Sequence, residues 1–122
     1  MHFGGPTPIL RSFDEAKARE FYIDYLGFDI EFEHRFGPDA PLYLSVKRGD
    51  CILHVTEHYG DCTPGAQVRV PVKALTDYVR SLRTKGYKYA NPGDPTKKPW
   101  GLMEVSVRDP FGNSLTFYEP PE

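Results

Sequence analysis

The segment "PWGLMEVSVRDPFGNSLTFYE", residues 99–119, contains the clearest structural pattern in the sequence. Apolar and polar residues alternate on both sides of "DPFGN" (109–113), which predicts two strands that each bury one side. Pro110 suits the second position of a type I turn, and the Gly-Asn pair that follows it suits the end of such a turn. The segment therefore predicts an antiparallel hairpin.

The residues before this hairpin predict a strand, a helix and a further short strand. Residues 66–72, "AQVRVPV", place three valines on one side of a strand. A helix with an apolar stripe follows and ends at Gly86. We predict a short strand at residues 87–89 and then a Pro/Gly-rich loop, "NPGDPTKKPWG" (91–101). The stripe consists of Leu75, Tyr78, Val79 and Leu82.

The first half of the chain predicts the same order of elements. Ser12 and Glu15 have the spacing of a capping box, and Gly27 is placed to end the helix that follows. Alternation at residues 28–33 predicts a half-buried strand. Two further strands, joined by Gly49 and Asp50, predict a hairpin ending in "CILHVTE" (51–57).

Strand, helix and three strands thus occur twice, which predicts an α+β fold made of two βαβββ modules. The first module covers about residues 6–60 and the second about 65–120, within a single domain at 1–122. In such a module the helix covers one side of the sheet, and we expect functional residues on the other side.

Composition excludes several classes of protein. The 122 residues carry a formal net charge of -2, which argues against nucleic-acid binding. No apolar run approaches the ~20 residues of a membrane span, and the N-terminus lacks a signal peptide, so we expect a cytoplasmic protein. Without an export signal, Cys51 and Cys62 are expected to be free thiols.

Three segments together resemble the glyoxalase/bleomycin resistance protein family of the vicinal-oxygen-chelate superfamily. They are "EFYIDYLGF" (20–28), "HVTEHYGDCTPGAQVRV" (54–70) and "PWGLMEVSVRDPFGNSLTFYE" (99–119). "PWG" followed by a glutamate and "RDPFGN" is typical of the bleomycin-resistance-like branch. The resemblance extends from about Pro8 to Glu119.

The resemblance implies that the two modules form a concave trough and that the protein is a homodimer, with a possible exchange of the N-terminal strand. Pro6 and Pro8 fit such an arm because proline fixes φ and removes a hydrogen-bond donor. They fit equally well as residues that blunt an edge strand. Both interpretations remain open.

Metal-dependent relatives bind a divalent ion at four positions that correspond here to Thr7, His54, Gln67 and Thr116. Only the histidine is a strong ligand for a transition metal. Adding Glu104 gives His54 and Glu104 as the one plausible pair of ligands. A second grouping, His58 with Glu57 or Asp61, is better interpreted as a solvated, hydrogen-bonded loop.

The sequence therefore favours binding over catalysis, with no cofactor and no catalytic residues. Trp100 is interpreted either as an exposed platform for a flat ligand or as a lid over the core. Glu104 would anchor positive charge on the ligand, and the other candidates would line the pocket, although Gln67 and Thr116 also fit ordinary surface positions and His54 a satisfied core position. The pocket candidates are Trp100, Glu104, His54, Gln67, Thr116, Phe36 and Tyr118.

We accordingly predict a metal-free protein that binds a small molecule, with a bleomycin-type glycopeptide as the candidate and sequestration as the protective mechanism. The alternative is a glyoxalase-like lyase/isomerase or dioxygenase that uses a divalent metal ion. Because bleomycin is cationic, a protein that sequesters it is expected to be more acidic than this chain, whose net charge is only -2.

Overall fold

The computed structural model describes residues 1–120, so the last two positions of the predicted domain, Pro121 and Glu122, lie outside the described residues. The chain divides into two compact units, Met1–Pro64 and Gly65–Glu122. The predicted modules, 6–60 and 65–120, fall within these units. Each unit contains a four-stranded sheet and helical structure, which confirms the α+β class.

The sheet of the first unit has the strand order β1-β4-β3-β2. Strand β1 runs parallel to β4, whereas β4, β3 and β2 are antiparallel neighbours. Its register aligns Ile9, His54, Ser45 and Phe32 in one row across the sheet. The elements are β1 (Ile9–Arg11), α1 (Glu15–Arg19) continuing as a π-helix (Glu20–Tyr25), β2 (Asp29–His34), β3 (Tyr43–Arg48) and β4 (Cys51–Thr56).

Helix α1 begins at a different residue from the predicted one. Asp14 is the N-cap, and its carboxylate accepts a hydrogen bond from the backbone N–H of Lys17 at 2.9 Å. The predicted capping box of Ser12 and Glu15 is therefore wrong. Ser12 is buried, and its N–H donates to the carbonyl of Thr56 at 2.8 Å, which extends the pairing of β1 with β4.

Strand β2 exists as predicted but is not half-buried. All six of its residues are exposed because β2 is the edge strand of the sheet. Its register with β3 shifts between Ile30 and Phe32, which breaks the simple alternation of sides. The predicted hairpin of β3 and β4 is confirmed, with the buried Leu44 and Val46 on β3.

The second unit repeats the arrangement of the first, with the strand order β5-β8-β7-β6. Strand β5 is parallel to β8, and β8, β7 and β6 are antiparallel neighbours. The predicted repeat is therefore confirmed. The elements are β5 (Gln67–Pro71), α2 (Leu75–Thr84), β6 (Thr96–Lys97), β7 (Met103–Arg108) and β8 (Ser114–Glu119).

The predicted strand at residues 87–89 is wrong. This segment forms turns, with Tyr87 and Tyr89 in edge contact at 5.5 Å between ring centroids, and the edge strand is instead the two-residue β6. Asp94 explains part of the difference, because it pairs with Arg80 and Arg83 of α2 and holds the loop against the helix. The chain reaches β7 only after that contact.

The "DPFGN" turn joins β7 to β8 as predicted, and one carboxylate closes it. Asp109 is buried and accepts hydrogen bonds from the backbone N–H groups of Phe111 (2.9 Å) and Asn113 (2.8 Å) and from the side-chain amide of Asn113 (2.7 Å). Asn113 in turn accepts from the N–H of Ala66 at 3.2 Å. The turn therefore also aligns the start of β5 with β8.

Helix α2 covers one side of the second sheet. Its apolar stripe of Leu75, Val79 and Leu82 is buried, as are Leu115 and Phe117 of β8. Burying each of these large apolar side chains stabilises the fold by about 1.5–3 kcal/mol. Within residues 1–120, no helix combines the length and the hydropathy required to cross a membrane.

The first turn of α2 is capped from a neighbouring strand. Ala74 is the N-cap and has no side-chain acceptor, so the carboxylate of Glu119 accepts from the N–H of Leu75 at 2.9 Å. Ala74 adopts φ 56° and is the only non-glycine with positive φ in the described part of the chain. A methyl side chain is disfavoured in this left-handed conformation.

We expect Ala74→Gly to raise the free energy of unfolding by about 1 kcal/mol, because glycine adopts positive φ without the steric penalty of alanine. Urea denaturation followed by circular dichroism measures this difference. Ala16→Gly, at an exposed position within α1, is the matched control and should instead cost about 0.5–1 kcal/mol. A destabilised Ala74→Gly variant would contradict the role of backbone strain at this position.

Candidate functional site

The side of the second sheet opposite α2 carries most of the candidate residues. We call it the polar face, and it consists of Gln67, Arg69, Glu104, Ser106, Thr116 and Tyr118. These residues alternate along their strands with the apolar residues that face α2. The register aligns Arg69 with Thr116, Thr116 with Ser106, and Tyr118 with Glu104.

Glu104 lies at the centre of this face and is already bound within the protein. The guanidinium of Arg69 donates to both carboxylate oxygens, from Nη1 to Oε1 at 3.2 Å and from Nη2 to Oε2 at 2.7 Å. The indole Nε1–H of Trp100 donates a second hydrogen bond to Oε2. Only 4% of the Glu104 side chain is exposed. The carboxylate is therefore a buried acceptor with its oxygens occupied.

These contacts favour the ionised carboxylate. The hydrogen bonds from Arg69 are the largest cause of the lowered pKa of Glu104. The hydrogen bond from Trp100 and the positive charges of Arg69 and Lys98 also lower it, whereas desolvation raises it. The same pair raises the pKa of Arg69. Both groups are therefore charged across the neutral range.

Arg69 is held on two sides and exposed on others. Its guanidinium carbon lies 4.8 Å from the centroid of the Tyr118 ring, a cation–π contact, while one edge of the group faces Glu104. The side chain is nonetheless 48% exposed. Arg69 was not among the candidates, although the alternation of "QVRV" places it on the same side as Gln67 and could have identified it.

Trp100 is 62% exposed, although its ring is fixed by the hydrogen bond to Glu104. The loop that carries it turns tightly, because the N–H of Gly101 donates to the carbonyl of Lys98 at 2.8 Å and Gly101 has φ 95°. A lid over the core would be buried, so the exposure favours the platform interpretation. The ring offers its faces to a ligand, whereas its N–H is already used.

The remaining candidates of this face supply hydroxyl and amide groups. Ser106 Oγ and Thr116 Oγ1 share a hydrogen bond of 2.7 Å. Gln67 is exposed at the start of β5. Thr116 is half-buried. These groups can each donate or accept a hydrogen bond.

His54 belongs to the first unit, where it contacts two aromatic rings. Its Nδ1 lies 2.7 Å from the hydroxyl of Tyr43, and its ring makes an edge contact with Phe32 at 5.5 Å. The side chain is half-buried, so it is not the core histidine that the sequence left open. Phe36 lies beyond the end of β2, is 82% exposed and contacts the ring of His34.

The side chains at the predicted metal positions include few of the donors that a divalent transition metal ion prefers. His54 is engaged by Tyr43 in the first unit, and Glu104 is engaged by Arg69 and Trp100 in the second. Within residues 1–120 no three His, Cys, Asp or Glu side chains are grouped as metal ligands. The residues present therefore do not fit the divalent ion of metal-dependent relatives.

The second metal grouping that the sequence suggested is a hydrogen-bonded turn. His58 Nδ1 lies 3.4 Å from Asp61, which also accepts from the hydroxyl of Thr56 at 3.0 Å. Cys51 and Cys62 are free thiols, as predicted, and burial raises the pKa of both.

Three comparisons relate the chain to known proteins. A family model described as "Glyoxalase superfamily protein" matches residues 1–122. YetH of Bacillus subtilis strain 168, an uncharacterized protein, is 26% identical over 110 residues, which cover 87% of this chain and 89% of YetH.

Two solved structures of bleomycin-binding proteins share the fold. One, in complex with bleomycin, has a TM-score of 0.76 at 24% identity and covers 98% of this chain and 100% of its own. The other, from Streptomyces verticillus in complex with copper(II)-bleomycin, has a TM-score of 0.69 at 26% identity and covers 100% and 99%.

The pairing of Glu104 predicts a pH-dependent environment for Trp100. Because the pKa of Glu104 is lowered from its ordinary 4.5, the contribution of these contacts is complete above pH 4.5 and is lost as pH falls through the lowered value. The emission of Trp100, the only tryptophan, should then change over the same acidic range, because the negative charge beside its indole N–H is neutralised.

Glu104→Gln is the matched variant, because it keeps an acceptor for the indole and cannot ionise. Its emission should not change over the same acidic range, while far-UV circular dichroism confirms that both proteins remain folded. An identical acid transition in wild type and variant would show that Glu104 does not hold the ring.

Proposed function

Because the chain belongs to the glyoxalase superfamily, we propose that it is a ligand-binding protein of the bleomycin-resistance-like kind. It would hold a small molecule with a planar aromatic portion on the polar face and make or break no bond. No cofactor is required by this function.

The observation that carries the proposal is the state of Trp100. The ring is 62% exposed and yet fixed through its N–H to the buried carboxylate of Glu104. A flat aromatic surface that is held in place loses little conformational entropy when a ligand stacks on it. Tyr118 adds a second ring nearby, beneath Arg69.

The similar solved structures suggest a candidate ligand. Two of them contain bleomycin or copper(II)-bleomycin. Bleomycin ends in a planar aromatic tail that suits stacking on Trp100. Sequestration of such a glycopeptide by a cytoplasmic homodimer is therefore the specific form of the proposal.

Strand exchange between two subunits would replace the pairing of β1 with β4 inside one chain by the same pairing between two chains. In the single chain, β1 pairs in parallel with β4, from Ile9 opposite His54 to Arg11 opposite Thr56. An exchanged dimer would form the same pairs with the β1 of the partner. Pro6 and Pro8 precede this strand and would stiffen the exchanged arm.

The enzyme alternative requires a divalent ion that polarises substrate oxygens. His54 and Glu104 are the only strong ligands among the predicted metal positions, and the Glu104 carboxylate is already paired with Arg69. A lyase, isomerase or dioxygenase activity is therefore the less favoured function for this chain.

Bleomycin should raise the melting temperature of the wild-type protein, because a ligand that binds only the folded state stabilises it by about 2.7 kcal/mol at a hundred times its Kd. Trp100→Ala should weaken binding by at least tenfold in calorimetric titration, since the stacking surface is lost. Tyr89→Ala removes another exposed ring from the same unit and should leave the affinity unchanged. Equal affinity in wild type and Trp100→Ala would reject the platform.

Elemental analysis of protein purified without chelator tests the metal-free form of the proposal. We expect transition metals well below one equivalent per chain, and no change on His54→Ala, because one histidine does not make a tight site. A stoichiometric ion that disappears in His54→Ala would instead support the enzyme alternative.

A further inference from the structure

The charge of the ligand can be inferred from the groups that remain available on the polar face. Glu104 is not among them, because Arg69 and Trp100 occupy its oxygens and only 4% of its side chain is exposed. A ligand cation would reach this carboxylate only by displacing the guanidinium. Such an exchange would cost both hydrogen bonds from Arg69, and the ligand cation would have to replace them at a carboxylate that is only 4% exposed.

Arg69, in contrast, retains binding capacity. A guanidinium has five N–H donors, and Glu104 takes one from each terminal nitrogen. The remaining donors have no other partner within residues 1–120, and the side chain is 48% exposed. Glu104 and the Tyr118 ring fix the plane of the group. Arg69 is therefore an oriented donor that can bind an external acceptor.

Two further side chains near Arg69 are also positively charged. Arg108 follows Glu104 and Ser106 along the same side of β7, is exposed and has no ion pair in the described part of the chain. Lys98, in the adjoining loop, is close enough to lower the pKa of Glu104. Three cations thus accompany one buried carboxylate. The polar face is locally positive although the whole chain has a net charge of -2.

The aromatic platform lies next to this cation. Trp100 Nε1 and Arg69 Nη2 both donate to the same oxygen, Oε2 of Glu104. The indole edge and the guanidinium are therefore within a few ångströms of each other. A ring stacked on Trp100 with an acidic substituent at its edge would reach both groups at once.

We propose that this face binds planar aromatic carboxylates, with the ring stacked on Trp100 and the carboxylate hydrogen-bonded to Arg69. The inference rests on the proposed ligand-binding function and names a ligand class of opposite charge to the bleomycin-type candidate. Hydrogen bonds between a guanidinium and a carboxylate are shorter and stronger than neutral ones, which makes the anion the preferred substituent. A cationic drug would use the ring platform alone and gain nothing from Arg69.

Three probes that share one ring system test the preference. They are 2-naphthoate, 2-naphthamide and 2-naphthylmethylammonium, which are negative, neutral and positive at neutral pH. In calorimetric titrations we expect naphthoate to bind about tenfold more tightly than the amide, and the ammonium compound to bind most weakly. Added salt should weaken the binding of naphthoate and leave that of the amide almost unchanged.

The double variant Arg69→Gln with Glu104→Gln removes both charges together and keeps an acceptor for the Trp100 indole. It should bind naphthoate and naphthamide equally. Arg19→Gln with Glu33→Gln is the matched control, because it removes an ion pair of the same composition from the first unit. That control should keep the preference for naphthoate. The salt dependence of the wild type tests the inference without any variant.

The outcomes separate the inference from the function on which it rests. A preference for naphthoate that is lost only in the Arg69 and Glu104 double variant supports both. Equal binding of the three probes, or tightest binding of the ammonium compound, overturns the ligand class and leaves the ligand-binding function standing. Failure of all three probes and of bleomycin to bind overturns the function and the inference together.

Discussion

The buried carboxylate of Glu104 determines the properties of the polar face. A carboxylate that is only 4% exposed must have its charge compensated, and here a forked guanidinium and an indole N–H provide that compensation. The need to compensate this charge determines where Arg69 and Trp100 lie. Arg69 is drawn across the sheet from β5, and Trp100 is held on its loop with the ring exposed. One acidic side chain thereby fixes both an aromatic surface and a cation.

This arrangement depends on the register of β5, β8 and β7. Asp109 and Asn113 set that register, because the first closes the turn between β7 and β8 and the second accepts from Ala66 immediately before β5. With the three strands aligned, Arg69 and Glu104 lie on the same side of the sheet. A shift of one residue in either strand would turn one of them toward α2. The turn therefore contributes to the site although it contains none of its residues.

Local sequence patterns predicted the parts of this site but not the way they combine. Alternation within "LMEVSV" and "SLTFYE" correctly placed Glu104, Thr116 and Tyr118 on one side, because side-chain direction in a strand has a period of two. The pairing of Arg69 with Glu104 joins residues 35 positions apart through a third strand, and no local pattern encodes it. The edge strand β6 was misplaced for a similar reason, since a contact between Asp94 and α2 determines where the loop rejoins the sheet.

A carboxylate on a sheet can favour either cationic or anionic ligands, depending on the side chains that surround it. A glutamate that is exposed on a sheet attracts cations, and on that basis the sequence suggested Glu104 as an anchor for positive charge. With Arg69 in place, the carboxylate is neutralised internally and the exposed charge of the pair is the cation. Lys98 and Arg108 strengthen that sign. On the polar face a ligand therefore meets the exposed member of the ion pair, Arg69, rather than the buried Glu104, and the exposed member sets the sign of the charge that it encounters.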